Sequence, residues 1–164
     1  MTGFRIGFGY DAHRFIEGRP LVLGGTIIPY DLGLAGHSDA DVLIHAVIDA
    51  LLGAISRGDI GVHFPDSDPA YEGVQSTELL ERVVQWVRED SYTVQNIDVT
   101  IVAERPRLAP HIRSMKEKLS KILGVQEDRV SVKATTSEGM GFCGRGEGMA
   151  AYAVACLSGA EGGE

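Results

Sequence analysis

A run of almost unbroken apolar residues constrains this chain more than any other feature. From position 42 the sequence reads VLIHAVIDALLGAI, and a helix that is apolar on every side has to be buried inside the fold. We therefore predict a buried helix over 38–57, with Ser38 as its N-cap and with Asp39 and Asp41 at the positive end of its dipole. The polar exceptions recur every four residues and form one stripe along the helix: Asp41, His45 and Asp49.

Two periodicities in the remaining sequence predict the other elements. Apolar residues that recur on one helical face predict helices over 76–90 and from Pro110 to Gly124. Alternating residues predict strands over 4–13, 93–104, 129–135 and 149–157, with two short strands within 21–28. This order predicts an α+β fold in one domain over 1–157, a mixed β-sheet with helices packed on one face, related to the ferredoxin-like sandwiches. Residues 158–164 are predicted to form a disordered tail.

Glycine is unusually frequent, with 21 of 164 residues, against about 7% in typical proteins. The excess is uneven: 11 glycines lie within 1–61, two within 62–138 and eight within 139–164. Because glycine loses more backbone entropy on folding than any other residue, such an excess needs a structural reason. The distribution predicts two loop-rich regions with a regular scaffold between them.

Composition excludes several classes of partner. The formal net charge is −8 and the sequence has no run of Lys or Arg, which argues against a nucleic-acid partner. No stretch approaches the about 20 apolar residues of a membrane span, and the first residues do not resemble a signal or transit peptide. Cys143 and Cys156 have neither metal nor redox spacing, so we expect a reducing, cytoplasmic location. Anionic small molecules stay open as ligands, because a local site can oppose the net charge.

Three residues in the first third of the chain can form a metal site. Asp11 and His13 are separated by one residue, so on a strand their side chains share a face, and His45 needs a polar partner on its apolar helix. Together they offer one oxygen and two nitrogens, and three protein ligands with an open fourth position are typical of catalytic zinc. Asp49, one turn beyond His45, can orient that imidazole. The alternative is a surface His13, a hydrogen-bonded core His45 and a helix-surface Asp49.

The segment 133–148, KATTSEGMGFCGRGEG, combines hydroxyls, a carboxylate and glycines. Thr135 and Thr136 end a strand, where they can face phosphate oxygens, and Glu138 offers the hard oxygen that Mg²⁺ prefers. The glycines fit the pattern G-x-G-x-x-G, but without a following helix or a distant acidic residue they do not predict dinucleotide binding. A plain glycine loop remains the alternative interpretation of the segment.

Other loops have two interpretations each. Residues 103–109, AERPRLA, contact a base or ribose through their backbone, or form an ordinary proline-containing turn. Asp59 and Gly61 hold a ribose diol, or belong to a turn that ends a helix. Phe142 and Arg145 line a pocket, or are exposed loop residues. Neither cysteine has an evident histidine partner and no serine lies in G-x-S-x-G, so the implied chemistry is metal-assisted attack at phosphorus without a covalent intermediate.

Five stretches taken together resemble one family. They are GFGYDAHRF, LGGTIIPYDLGLAGHSDADVLIHAVIDALLGA, GDIGVHFPDSDP, DVTIVAERPRLAPHI and VKATTSEGMGFCGRGEGMAAYAV, in this order within residues 5–157. The chain thus resembles the 2-C-methyl-D-erythritol 2,4-cyclodiphosphate synthases of the non-mevalonate isoprenoid pathway. The resemblance implies a lyase. In its reaction the 2-phosphate of 4-diphosphocytidyl-2-C-methyl-D-erythritol 2-phosphate attacks the β-phosphorus, CMP leaves and a cyclic diphosphate forms.

The same resemblance implies a role for each matching residue. Zinc, or another divalent ion in its place, is expected on Asp11, His13 and His45. Glu138 is expected to hold Mg²⁺ or Mn²⁺, and His37 and Thr136 to stabilise the transition state. The expected substrate contacts are Asp11, His13, His37, Ser38, Asp59, Gly61, Phe64, Asp66, Asp68, Ala103, Pro106, Arg107, Ala109, Thr135, Thr136, Phe142 and Arg145.

The resemblance also implies a homotrimer whose active sites lie between neighbouring protomers. Its central cavity is expected to bind an isoprenoid diphosphate through Phe142 and Arg145, for which a structural role stays open. Arg107 and Ala109 depart from the lysine and leucine frequent at these positions, which changes the donor geometry of the cation and loosens the predicted base pocket. Two alternatives to the synthase remain: another metal-dependent phosphohydrolase on the same scaffold, and a non-catalytic trimer that binds nucleotides or isoprenoid phosphates.

Overall fold

A mixed sheet with helices on one face forms the part of the chain that this computed structural model describes, residues 3–159. The strands are β1 (Phe4–Ile16), β2 (Leu21–Leu23), β3 (Thr26–Ile28), β4 (Gly33–Leu34), β5 (Tyr92–Val102), β6 (Val130–Thr135) and β7 (Gly148–Gly159). The helices are α1 (Val42–Ala54), α2 (Ile60–His63), α3 (Ser76–Glu89), α4 (Ile112–Leu123) and α5 (Gly141–Gly144), with 3₁₀ turns at Pro69–Tyr71, Ala109–His111 and Glu127–Arg129. The α+β prediction is confirmed. Within 3–159 no helix is long and apolar enough to cross a membrane.

The two faces of the sheet differ in what covers them. The strand order is β4-β1-β7-β5-β6, in which β5 and β6 run parallel and the other neighbours antiparallel, while β2 and β3 form a separate hairpin. One row of paired residues across the sheet is buried under the helices: Gly7, Ala155, Ile97 and Val130. The next row lies on the opposite face, where its large apolar members are exposed: Phe8, Val154, Asp98 and Ser131. The helices therefore cover one face, as predicted.

Two glycines in β1 allow α1 to lie directly on the strand backbone. A Cβ atom on Gly7 would lie 1.8 Å from the carbonyl oxygen of Ala50, and one on Gly9 would lie 1.9 Å from that of Ala46. Because side chains alternate along a strand, the same face continues into Asp11. The close approach therefore brings the ligand-bearing end of β1 next to the first turns of α1.

The start of α1 differs from the prediction. The N-cap is Asp41, whose carboxylate accepts hydrogen bonds from the backbone N–H of Ile44, Gly24 and Gly25, at 3.0, 3.0 and 2.7 Å. Ser38 is not the cap, because Ala40 adopts a left-handed conformation with φ 57° that interrupts the helix upstream of Asp41. The fully buried Asp41 therefore ties α1 to the turn between β2 and β3.

Both strands at the ends of the chain are longer than predicted. β1 continues to Ile16, because Phe15 and Ile16 pair with β4. β7 continues to Gly159, and its Ser158 pairs with Phe4 of β1. Positions 158 and 159 of the predicted tail therefore belong to the sheet, and positions 160–164 lie outside the described residues.

Candidate active site

Three potential ligand atoms converge where β1 meets α1. Asp11 Oδ2 lies 2.7 Å from His13 Nε2 and 3.0 Å from His45 Nδ1, and the two nitrogens are 3.2 Å apart. His13 Nδ1 lies 2.6 Å from the carbonyl oxygen of Ala35. A carbonyl can only accept, so Nδ1 donates its proton to Ala35, and Nε2 is the nitrogen that faces Asp11 and can coordinate an ion there. The three residues predicted from spacing are therefore together, with their potential ligand atoms directed at one point.

The dimensions of this cluster suit a small divalent ion. In a tetrahedral zinc site with bonds of about 2.0–2.1 Å, ligand atoms lie about 3.3 Å apart, and the three distances here, 2.7, 3.0 and 3.2 Å, approach that value from below. Burial raises the pKa of Asp11, but hydrogen bonds and the charges of His13 and His45 outweigh it and lower that pKa below its usual range. Burial lowers the pKa of His13, but the hydrogen bond to Asp11 and the negative charge of Asp11 outweigh burial and raise this pKa above its usual value. The donor set thus fits the predicted metal site.

The carboxylate predicted to orient His45 has a different role. Asp49 Oδ1 accepts from the backbone N–H of Ile60, at 2.8 Å, and so holds the start of α2. Helical side chains lean toward the N-terminus of their helix, and the His45 ring accordingly lies near Ser38 and Ser76, with Nε2 3.2 and 2.9 Å from their hydroxyl oxygens. Both ring nitrogens thus have other partners, since Nδ1 faces Asp11, and Asp49 holds α2 instead, so the prediction is wrong.

A cavity of about 310 Å³ opens beside the three ligand atoms. Besides them, its lining includes five residues that the sequence analysis singled out: His37, Ser38, Gly61, Phe64 and Asp66. Two further predicted carboxylates are used locally as helix caps, because Asp59 accepts from Val62 N–H and Asp68 from Ala70 N–H. Asp59 and Asp68 therefore flank cavity residues in the chain while their carboxylates shape the surrounding turns.

An aromatic wall of this cavity was missed by sequence reasoning. Phe64 stacks on Trp86 at 5.6 Å between ring centroids and meets Tyr71 edge to face at 5.3 Å. Trp86 is the only tryptophan in the sequence, and its position at the edge of the apolar face of α3, seven residues after the buried Leu79, could have indicated a packing partner. The wall fixes the orientation of Phe64 next to the metal cluster.

A second cavity, of about 320 Å³, lies at the ends of β5 and β6. It brings together six predicted residues: Ala103, Pro106, Arg107, Ala109, Thr135 and Thr136. At its edge the Thr136 hydroxyl lies 3.2 Å from Glu138 Oε1. Glu104, which sequence reasoning did not single out, accepts from the backbone N–H of Ser137 at 2.9 Å. Glu104 thus connects the two loops that border this cavity.

The two cavities lie on different strands of one sheet. Paired residues place Asp11 of β1, Ala151 of β7, Ile101 of β5 and Ala134 of β6 in one row. Three strand spacings separate its ends, which corresponds to about 14 Å. The metal cluster and the second cavity are therefore distinct within one chain.

Phe142 and Arg145 belong to a third region. Phe142 contributes to a cavity of about 240 Å³ with residues 12–14 and Glu147. Arg145 Nε donates to Glu147 Oε1 at 2.6 Å, and that hydrogen bond raises the pKa of the Arg145 guanidinium. These two residues therefore lie near the start of β7, outside the second cavity.

Comparisons with known proteins agree with this arrangement. The model of the YgbB family matches residues 4–158. A protein of Trichlorobacter lovleyi named 2-C-methyl-D-erythritol 2,4-cyclodiphosphate synthase is 58% identical over 153 residues, which cover 93% of this chain and 98% of that protein.

Two solved structures extend the similarity to the fold. The bifunctional IspDF from Campylobacter jejuni has a TM-score of 0.94 at 41% identity, over 97% of this chain and 43% of that longer chain. The CDP complex of Plasmodium falciparum IspF has a TM-score of 0.85 at 29% identity, over 97% and 98% of the two chains. Because the match runs through the strand and helix that bring Asp11, His13 and His45 together, the chain belongs to the YgbB family of 2-C-methyl-D-erythritol 2,4-cyclodiphosphate synthases, which are lyases.

Proposed function

We propose that the chain converts 4-diphosphocytidyl-2-C-methyl-D-erythritol 2-phosphate into 2-C-methyl-D-erythritol 2,4-cyclodiphosphate and CMP. A 2-phosphate oxygen forms a bond to the β-phosphorus, and the bond from that phosphorus to the bridging oxygen breaks, so that CMP leaves with the electron pair. The observation that carries the proposal is the convergence of Asp11, His13 and His45 beside a cavity, in a chain of this family. The nucleophile is part of the substrate, so the protein has to fold the substrate and neutralise its charge.

Asp11, His13 and His45 would hold Zn²⁺ or another divalent ion, which supplies a Lewis acid for a phosphate oxygen when bound. The chain's own contribution is to fix the three ligand atoms. Ala35 accepts from His13 Nδ1, and two hydroxyls lie against His45 Nε2. These contacts hold both rings before any substrate binds, which is the preorganisation that charge stabilisation requires.

The cavity beside this cluster suits the methylerythritol phosphate part of the substrate. His37 and Ser38 offer hydrogen-bond donors to phosphate oxygens, and Asp66 offers an acceptor to hydroxyls. Phe64 supplies an apolar wall that is held by Trp86. The proposed contacts on this side are His37, Ser38, Asp59, Gly61, Phe64, Asp66 and Asp68, with His37 stabilising charge in the transition state.

The second cavity suits the cytidine and its phosphate. Its Ala103, Pro106, Arg107 and Ala109 leave backbone groups and one cation available for a base, and Thr135 and Thr136 offer hydroxyls for a phosphate. Glu138 is exposed beside Thr136 and is proposed to hold Mg²⁺ or Mn²⁺ with the substrate diphosphate. The Plasmodium falciparum relative was solved with CDP, which supports a cytidine nucleotide as the ligand of this chain.

A homotrimer would unite the two cavities in one site. Asp11 of the metal cluster and Ala134 of the second cavity lie three strand spacings, about 14 Å, apart within one chain, and we propose that one substrate uses the metal cluster of one protomer and the nucleotide cavity of its neighbour. The uncovered sheet face carries exposed apolar side chains, among them Phe4 at 69% and Ile6 at 65% exposure, and such a patch is typical of an interface. We further propose an isoprenoid diphosphate near Phe142 and Arg145 on the three-fold axis, and a cytoplasmic location.

Product identification by phosphorus NMR with the authentic substrate tests the activity. We expect CMP together with the cyclic diphosphate. CMP with only a linear product would indicate a phosphohydrolase instead, and binding without CMP release in the presence of both metals would indicate a non-catalytic nucleotide binder.

Elemental analysis and sedimentation of His45→Ala test the ligand assignment and the assembly separately. We expect this variant to lose zinc and nearly all turnover while it stays trimeric, and the matched control His111→Ala to keep its zinc. Stoichiometric zinc in His45→Ala would refute the ligand set, and a monomeric unmodified chain would refute the trimer.

A further inference from the structure

We propose that Ser76 and Asp39 are positioning residues of the metal centre, because together they set the tautomer of His45 and hold its ring. The inference rests on the proposed function to the extent that Asp11, His13 and His45 bind a divalent ion. Neither Ser76 nor Asp39 is a ligand. They act on the ligand nitrogen through the opposite nitrogen of the same imidazole.

The contacts form a continuous chain away from the cluster. Ser76 is the first residue of α3 and is fully buried, and its Oγ lies 2.9 Å from His45 Nε2. The Ser76 hydroxyl donates to Asp39 Oδ1, and the Ser76 backbone N–H donates to Asp39 Oδ2 at 3.1 Å. Asp39 is therefore placed at the start of α3, where the helix dipole favours its negative charge.

The hydrogen-bonding capacities of these groups leave one arrangement. A carboxylate only accepts, and a serine hydroxyl has a single proton to donate. Since that proton goes to Asp39, the Ser76 oxygen accepts from His45 Nε2. When an ion occupies the cluster, an imidazole with its proton on Nε2 offers it the lone pair of Nδ1, the atom that lies 3.0 Å from Asp11 Oδ2. The opposite tautomer would direct an N–H into the metal centre.

The second hydroxyl near His45 supports the same assignment. Ser38 Oγ is farther from Nε2, at 3.2 Å, and already accepts from the backbone N–H of Ala40. With Nε2 protonated, the Ser38 hydroxyl cannot donate to it and keeps its proton for a group in the cavity that it lines. Ser76 thus serves the ring, and Ser38 remains available to the substrate.

The contacts that run from Asp39 through Ser76 to His45 form a relay, and the metal affinity of the protein tests this relay independently of turnover. Chelator-treated protein is titrated with Co²⁺ in competition with a chelator, and the visible absorption of bound cobalt reports the ligand geometry. We expect Ser76→Ala to bind Co²⁺ about 10- to 100-fold more weakly than the unmodified chain, which is the usual effect of losing a partner of a metal-bound histidine. Ser76→Thr retains the hydroxyl and should restore most of the affinity.

A matched control separates the relay from a general effect of removing a buried hydroxyl. Ser120 is also buried, on α4, and its Oγ donates to the carbonyl oxygen of Glu117 at 3.0 Å. Ser120→Ala should therefore leave the cobalt affinity and spectrum unchanged. Equal affinities of Ser76→Ala and Ser120→Ala would overturn the relay, whereas failure of the unmodified chain to bind Co²⁺ would overturn the metal centre and the relay together.

A second measurement needs no variant at the relay and so does not depend on the folding of Ser76→Ala. Histidine-selective ¹⁵N NMR of the Zn²⁺-saturated protein, with His45 assigned by comparison with His45→Ala, reports which ring nitrogen is protonated. We expect the proton on Nε2 of His45. A neutral ring with its proton on Nδ1 would refute the proposal.

Discussion

Replacing Gly9 by alanine should displace the metal ligands, because Gly9 lies where β1 packs directly against α1. The new Cβ would lie 1.9 Å from the carbonyl oxygen of Ala46, and real Cβ atoms essentially never approach closer than 3.0 Å. Either α1 or β1 must therefore move by at least about 1.1 Å, which is an overpacking strain of about 1–3 kcal/mol or more. His45 adjoins Ala46, so the displacement reaches a ligand, and a shift of about 1 Å in a catalytic group can lower the rate by about 100-fold.

Thermal unfolding and CMP release measure the two effects of Gly9→Ala. For a chain of this size each kcal/mol corresponds to about 2–4 °C in Tm, and kcat/KM should fall by about 100-fold. Gly53→Ala is the matched control, because Gly53 lies in the same helix and its Cβ would meet only the Phe8 carbonyl oxygen, at 3.9 Å. It should stabilise the protein by about 0.5–1 kcal/mol, since glycine is unfavourable within helices. An unchanged Tm and kcat/KM in Gly9→Ala would refute the reasoning.

Three further changes test other parts of the fold. Glu104→Ala should raise KM for the cytidine substrate about tenfold, because the Ser137 N–H that anchors the loop of Glu138 loses its acceptor. The control variant Glu104→Gln keeps an acceptor oxygen. Equal KM values for the two variants in steady-state assays would contradict the proposal. Gly124 is the C-cap of α4 and has a left-handed φ of 71°, a conformation that is unfavourable for residues with a Cβ atom. Gly124→Ala should therefore lower the free energy of unfolding, measured by urea titration, by about 1–2 kcal/mol. Burial raises the pKa of Asp41 to about 6, above the about 3.9 of an unfolded chain. Between about pH 4 and 6 the unfolded state therefore releases this proton first, and the free energy of unfolding falls as pH rises. In protein freed of metal by a chelator, Asp41→Asn should abolish this decrease of the unfolding free energy between about pH 4 and 6. An unchanged decrease would refute the raised pKa of Asp41 as its cause.

Local patterns predicted most of the elements and the metal cluster. The alternation in β1 indicates that Asp11 and His13 share a face, and the apolar run indicates a buried helix that carries His45. The segments 103–109 and 133–148 also contain all residues that line the second cavity except Ile112. These predictions succeed because periodicity and spacing within one element determine which side chains point the same way.

Predictions failed where a backbone angle or a distant contact decides the outcome. Alanine rarely adopts a left-handed conformation, so the sequence does not predict the positive φ of Ala40 that moves the N-cap from Ser38 to Asp41. Spacing puts Asp49 and His45 on one helical face, but Asp11 and Ser76 contact the two ring nitrogens and the N–H of Ile60 contacts Asp49. Ser76 lies 31 positions from His45 on another helix, so its contact follows from helix packing alone. The trimer and the residue roles in catalysis remain predictions.

The pairing of β1 with β7 has a consequence for the order of biosynthesis. Asp11 pairs with Ala151, and the register between the two strands continues to Arg14 and Gly148. On the ribosome, the first ligands are therefore made well before the strand that fixes their position, and such long-range pairing is slow to form. Chains that lack β7 hold Asp11 and His13 without this partner strand, so the metal should load only after β7 has been made.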